Sequence, residues 1–314
     1  MGKSSAFNLQ DGGLYYGDLN SKGLPDSLDS IGMWDDGRRY IGQWVNGRVH
    51  GVGTMYYPDG SVVRGFWYNN ELLHIFGNQP PVSQLPKNQN KIAALLVGND
   101  YKYTDHPLEN CVSDVNALGR KLRYIGADVT IVENASRTGI LRAINEFCRK
   151  DSSYDHALFY FSGHGNMIDT IHCITSDNDE LIGLETNVLG ELAKTRFKNK
   201  ILISDACNTF IPISANDRDI ICIDQNDLHS NNVCFAFSTA NGHSATAFSH
   251  HHHSPYALAL LEYIDQANLN IVRMFSEVSR FVVDYSIRQF GGVIEVPHAD
   301  FTTIDPDFCL YVPQ

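Results

Sequence analysis

Four short runs in this chain, "KIAALLVGNDY", "DHALFYFSGHG", "KNKILISDAC" and "NVCFAFSTA", carry apolar residues at consecutive rather than alternating positions. A strand with one wet face alternates apolar and polar residues, so strands that are apolar on both sides must be covered on both. Two stretches with helical spacing, "ENCVSDVNALGRKLRYIG" and "SRTGILRAINEFCRK", stand between them; Ser136 reads as a helix cap, "ADVTIVEN" as a further strand, and helices are expected near 254–265 and 269–289. This alternation fits one fold class, α/β, with a mostly parallel sheet flanked by helices. "DFCLYVP" reads as the edge strand that closes it.

The alternation begins only at about residue 91. Before it, "GNQPPVSQLPKNQN" holds three prolines among polar residues and reads as a linker over 77–90. Residues 14–76 follow a different rule. Gly42 and Trp44 recur as Gly65 and Trp67, and Asp36-Gly37 recurs as Asp59-Gly60, both at a period of 23. Short aromatic strands alternating with Asn-Gly and Asp-Gly turns predict a row of β-hairpins, each too small to stand without its neighbours. The expected organisation is therefore a small β-hairpin repeat module at 14–76, a linker at 77–90 and an α/β domain at 91–314.

Ligands of parallel sheets bind outside the carboxyl ends of the strands. Two strands carry polar chemistry there: one ends in Ser162-Gly163-His164-Gly165, the other in Asp205-Ala206-Cys207. A thiol titrates near about 8.5 and becomes an effective nucleophile when a base favours its thiolate. His164 can be that base and can later protonate a leaving amine. The flanking glycines let backbone approach a substrate, so the N–H groups of Gly165 and Cys207 are the candidate oxyanion donors.

Composition narrows the function classes. Twenty-four lysines and arginines face 36 acids, a formal charge of −12, and no basic block offers a nucleic-acid footprint. Seven cysteines without regular spacing form neither a disulfide framework nor a zinc pattern. No run approaches a membrane span, "MGKSSAFNLQ" lacks the apolar core of a signal peptide, and Ala6 departs from the myristoylation pattern. The expectation is a soluble chain in a reducing cytoplasm.

The markers "ALLVGNDY", "PLENCVSDVNALGRKL", "YFSGHG" and "ISDAC", in that order over about 91–312, resemble the caspase-like cysteine peptidases of clan CD, specifically metacaspases and their bacterial relatives. CHAT-type peptidases share the order. The repeats at about 14–75 resemble MORN repeats, one good and two partial. The resemblance implies His164 as base and Cys207, 43 residues later, as nucleophile. The metacaspase S1 pocket is lined by a cysteine, two aspartates and a serine, and motif matching implies Cys111, Asp114, Ser162 and Asp205 in those places. An acid two positions before the nucleophile favours a cationic P1 side chain, so cleavage after arginine or lysine is expected. One departure is local: Asn208, Thr209 and Phe210 follow the cysteine where the family has a His-Ser-Gly type of turn.

Arg218 is the sole arginine or lysine between 208 and 272 and the candidate autocleavage site. His250 to His253 read as a mobile rim loop rather than a metal site. "SDNDE", with Asp177, Asp179 and Glu180, resembles the acidic loops of calcium-dependent metacaspases, but it lacks EF-hand spacing and reads as a solvated turn. No metal or cofactor is expected, calcium being the alternative reading. Expected partners are protein substrates with basic P1 residues and an activating protein or small-molecule signal. MORN-like modules dock proteins and sometimes lipids, and scarce basic residues favour protein over membrane. The family analogy implies a regulated effector of defence or cell death. A ligand-gated binding protein with vestigial activity is the alternative.

Overall fold

The computed structural model describes residues 6–9, 11–75, 88–212, 220, 232–244, 253–290, 295–301 and 303–313. Contacts divide them into two compact units, one holding the strands up to Ile75 and the other those from Ile92 onward.

The first unit is one antiparallel meander of seven strands: β1 (Ala6–Asn8), β2 (Gly13–Tyr16), β3 (Ser27–Trp34), β4 (Arg39–Val45), β5 (Arg48–Tyr56), β6 (Val62–Tyr68) and β7 (Glu71–Ile75). It takes in one strand, β1, ahead of residue 14. Asn46 and Gly47, with φ of 48° and 83°, make the two-residue β4–β5 turn, whose left-handed pair matches the twist of the strands it joins. Trp44 and Trp67, the residues repeated at 23, are both buried with Tyr15, Trp34, Tyr40, Val49 and Met55. Gly42, Gly53 and Gly65 pair across three neighbouring strands. A Cβ on Gly53 would lie 2.0 Å from Tyr40 Oη, so this glycine is there to let an aromatic ring cross the sheet.

The second unit is built on a six-stranded sheet in the order β17-β16-β14-β10-β8-β9. Its strands are β8 (Ile92–Gly98), β9 (Asp128–Glu133), β10 (His156–Ser162), β14 (Asn199–Asp205), β16 (Val233–Phe237) and β17 (His298–Asp300). All pairings are parallel except that of β16 with β17. Every residue of β8, β10 and β14 is buried. Helix α2 (Arg137–Cys148), capped by Ser136 Oγ accepting the Gly139 N–H, packs Ile140, Ile144 and Phe147 with Leu95, Phe159 and Phe161. Helix α1 (Cys111–Tyr124) covers the opposite face, where a Cβ on its Gly119 would touch Leu96. Two more helices follow, Pro255–Tyr263 and Ile271–Phe290. None among the described residues is long and apolar enough to cross a membrane.

Two features depart from the sequence reading. The edge strand is His298–Asp300 rather than "DFCLYVP". That segment turns at Asp305, whose carboxyl accepts the Asp307 N–H, and then runs beside residues 88–90: Asn88 and Asn90 side-chain amides donate to the carbonyls of Leu310 and Cys309. The second feature is a small sheet, β13-β12-β11-β15, made of β11 (Gly165–Ile168), β12 (Ile171–Thr175), β13 (Leu181–Gly183) and β15 (Thr209–Phe210). It begins one residue after His164 and ends three residues after Cys207.

Candidate active site

The two ladders around the candidate dyad share one offset. In the main sheet Ser162 pairs with Asp205, and in the small sheet Asn166 pairs with Thr209, both parallel and both 43 residues apart. His164 and Cys207 have the same separation and lie midway between these pairs. Neighbouring strands run about 4.8 Å apart, so the registers bring the two backbones side by side. Gly163 N–H donates to the Asp205 carbonyl at 3.2 Å, carrying the pairing past the strand end. A Cβ on Gly165 would fall 2.7 Å from Ala206 Cβ and 2.8 Å from the Cys207 carbonyl, so glycine is required for this approach. Both His164 and Cys207 are half-buried, which leaves them within reach of a substrate.

His164 is fixed from three sides. Its Nε2 lies 2.6 Å from the His106 carbonyl. A carbonyl only accepts, so Nε2 carries the proton and Nδ1 holds the basic lone pair. Its backbone N–H donates to Tyr101 Oη at 3.0 Å, and the Tyr101 hydroxyl donates onward to the Thr175 carbonyl at 2.6 Å. The Tyr101 ring lies 4.4 Å from the imidazole, centroid to centroid. Tyr101 is fully buried with φ of 52°, a left-handed conformation that costs an aromatic residue about 1–3 kcal/mol. Neither the contact to the His106 carbonyl nor that to Tyr101 follows from the sequence. A carbonyl leaves no mark in a sequence, although Tyr101 closes the marker "ALLVGNDY".

The turn after Cys207, where the sequence departs from the family pattern, is held by Asn208. Its N–H donates to the His243 carbonyl (2.9 Å), its side-chain amide to the Thr239 carbonyl (2.8 Å), and its own carbonyl accepts the Gly242 N–H (2.7 Å). Thr209 and Phe210 then join β11.

The four S1 candidates form one buried cluster. Cys111 opens α1, Asp114 lies in its first turn, and Ser162 and Asp205 end adjacent strands. Ser162 Oγ donates to Asp114 Oδ2 at 3.2 Å, and Tyr160 Oη donates to Asp205 Oδ2 at 3.3 Å. Asp114 and Asp205 are 1% and 6% exposed. Burial pushes Asp114 well above the carboxylate range, and burial followed by the Asp114 charge pushes Asp205 up to about 7. Burial first and Asp114 second raise the Cys111 thiol, which disfavours its thiolate form.

Two further expectations are resolved in different ways. His253 is not on a mobile rim: it is 2% exposed, with Nδ1 2.7 Å from Asp114 Oδ1, because it sits at the start of the 255–263 helix beside the acid pair. His250 to His252 and Arg218 lie outside the described residues. "SDNDE" forms the β12–β13 turn, in which Ser176 Oγ accepts the Glu180 N–H. Among the described residues, no group of three His, Cys, Asp or Glu side chains could hold a metal ion.

Comparison with known proteins adds to this geometry. The caspase-domain family matches residues 91–308, and the MORN-repeat family matches residues 40–62. Metacaspase-1 of Meyerozyma guilliermondii is 28% identical over 117 residues, which cover 33% of this chain and 28% of that protein's length. The crystal structure of caspase-1 from Spodoptera frugiperda superposes with a TM-score of 0.56 at 17% identity, over 73% of this chain and 92% of the caspase chain. At that identity the likeness speaks for the fold.

Proposed function

Because the chain belongs to the caspase-domain family of cysteine peptidases, we propose that it is an endopeptidase that uses Cys207 as nucleophile and His164 as base to cleave proteins after arginine or lysine. The observation that carries this reading is the shared offset of the two ladders that bracket His164 and Cys207. With Nε2–H given to the His106 carbonyl, Nδ1 takes the thiol proton. The thiolate attacks the scissile carbonyl carbon, and the N–H groups of Gly165 and Cys207 are the proposed donors to the oxyanion. Collapse expels the amine with the proton returned by His164, and water activated by the same imidazole then hydrolyses the thioester.

The basis of the proposed specificity is the acid pair. A guanidinium or ammonium entering beside Asp114 and Asp205 supplies the positive charge that two buried carboxyls lack, and so favours their ionised forms. The proposal extends to autoprocessing after Arg218, which should yield two fragments in wild type and none in Arg218→Ala.

The test is turnover of peptide reporters bearing Arg, Lys or Asp at P1 by wild type and Cys207→Ala, with and without calcium. Cys207-dependent cleavage of the Arg and Lys reporters is expected. Cleavage after Asp, or turnover that survives in Cys207→Ala, would overturn the assignment.

A further inference from the structure

The two buried acids are not held by their own elements alone. Two consecutive residues at the start of the 255–263 helix each reach one of them. His253 Nδ1 lies 2.7 Å from Asp114 Oδ1, with both side chains 1% exposed. Ser254 Oγ donates to Asp205 Oδ2 while accepting the Ala257 N–H at 2.9 Å as the helix cap. Pro255 follows at the first helical position, where its fixed φ suits the helix start. The cap therefore fixes Ser254, and chain continuity fixes His253 beside it. On its other oxygen Asp114 accepts the Ser162 hydroxyl. The carboxyl of Asp114 is thus gripped at both oxygens, and its plane is set by groups from β10 and from the helix start.

A donor to a carboxylate stabilises its charged form, whereas burial disfavours it. An acid meant to receive a cation in a dry pocket needs such donors, together with a fixed orientation that keeps its remaining lone pairs facing the incoming group. We propose that His253 is a positioning residue for substrate selection: by donating Nδ1–H to Asp114 it orients that carboxyl toward a guanidinium or ammonium at P1. The proposal rests on the reading of Asp114 and Asp205 as the receptor for the P1 side chain. Ser254 serves Asp205 in the same way, so one helix start aligns both acids.

The experiment compares wild type, His253→Leu and His253→Asn on two reporters that differ only at P1, arginine against its neutral isostere citrulline. Benzamidine binding to the same variants in a Cys207→Ala background is measured by calorimetry. Thermal melts establish that each variant is folded. His253→Leu should raise KM for the arginine reporter about tenfold or more, with kcat nearly unchanged and the citrulline reporter unaffected. Benzamidine affinity should fall to a similar degree, and His253→Asn, which keeps a donor near the Nδ1 position, should recover most of both. If His253→Leu does not fold, His253→Gln takes its place, because its amide overreaches that position. An unchanged arginine-to-citrulline ratio and unchanged benzamidine affinity would overturn the proposal. So would tighter binding in His253→Leu, which would make His253 a competitor for the pocket. If wild type cleaves neither reporter, the peptidase reading fails by itself, and benzamidine binding still decides the role of His253. Absence of benzamidine binding to the Cys207→Ala parent would likewise overturn it.

Discussion

Asp205→Asn is expected to make the protein more stable at neutral and alkaline pH while it removes the proposed preference for basic P1 residues. Asp205 is buried, and burial, followed by the Asp114 charge, moves its pKa from the ordinary 3.8 up to about 7. Between those values the unfolded chain has lost the proton that the native carboxyl keeps. Folding then takes up a proton, so this group's contribution is greatest below 3.8 and is lost as pH rises through about 7. At roughly 1.4 kcal/mol per pH unit, the whole window is worth about 4 kcal/mol for a pKa moved from 3.8 to about 7. Asparagine does not titrate, and its amide oxygen can still accept from Ser254 and Tyr160. His253 has the opposite slope: burial lowers it from 6.5 to about 4, so its contribution is present above 6.5 and is lost as pH falls toward 4. In wild type the two slopes largely cancel, which is why the difference between the two proteins has to be measured. Urea unfolding at several pH values should show the advantage of Asp205→Asn growing by about 3 kcal/mol between about pH 5 and about pH 8. Parallel stability curves, differing by a constant, would refute the assignment of Asp205 as a proton-holding buried acid.

Tyr101→Phe deletes the acceptor for the His164 N–H and the donor to the Thr175 carbonyl; a loss of about 1–3 kcal/mol in urea unfolding and a kcat reduced about tenfold are expected. Gly165→Ala places a methyl 2.7 Å from Ala206 Cβ, and reporter turnover should fall at least about a hundredfold while circular dichroism shows the fold retained. Asn208→Ala removes the amide that donates to the Thr239 carbonyl; kcat should fall more than KM rises, because the turn that carries the Cys207 N–H loosens. In the repeat unit, Gly53→Ala drives a methyl into the Tyr40 hydroxyl, and a melt of that unit should move down by several degrees, on the order of about 1–3 kcal/mol of overpacking.

The sheet was legible because burial on both faces is written as consecutive apolar residues, as in Ile92 to Val97 and Ala157 to Phe161. The hairpin row was legible because Gly42 and Trp44 recur as Gly65 and Trp67 and the Asp-Gly turns recur with them, whereas Gly53, the glycine beneath the Tyr40 ring, stands outside that repeat. The small sheet around His164 and Cys207 was not legible. Its strands are two to five residues long, too short to show a period, and they exist because β11 and β15 extend the register of β10 and β14. The "DFCLYVP" run has the composition of a strand, but side-chain amides from residues 88–90 capture its carbonyls and leave it outside the ladder. That Cys111, Asp114, Ser162 and Asp205, the proposed S1 residues, would lie together could be read from their distinctive side chains and motif positions. His253 was hidden among four consecutive histidines, and only its place beside the Ser254 cap separates it from the other three.

The position of the proposed dyad between two ladders has an energetic logic. A catalytic pair must be held within fractions of an ångström, yet it must stay partly open to receive a peptide. A continuous strand would give the first and forbid the second, because its backbone groups and faces would be consumed by neighbours. Here the main sheet stops at Ser162 and Asp205 and pairing resumes at Asn166 and Thr209, so the intervening residues are anchored at both ends while the break itself stays accessible. The cost of the break falls on Tyr101, forced to a φ of 52°, which hydrogen-bonds the His164 N–H that the strand no longer pairs. Tyr101→Gly would relieve that backbone strain and yet should be both less stable and less active, since it loses the hydroxyl and the ring beneath the imidazole. A Tyr101→Gly variant that gained stability would mean that the strain exceeds the contacts it supports, and the tyrosine would then be retained for catalysis alone.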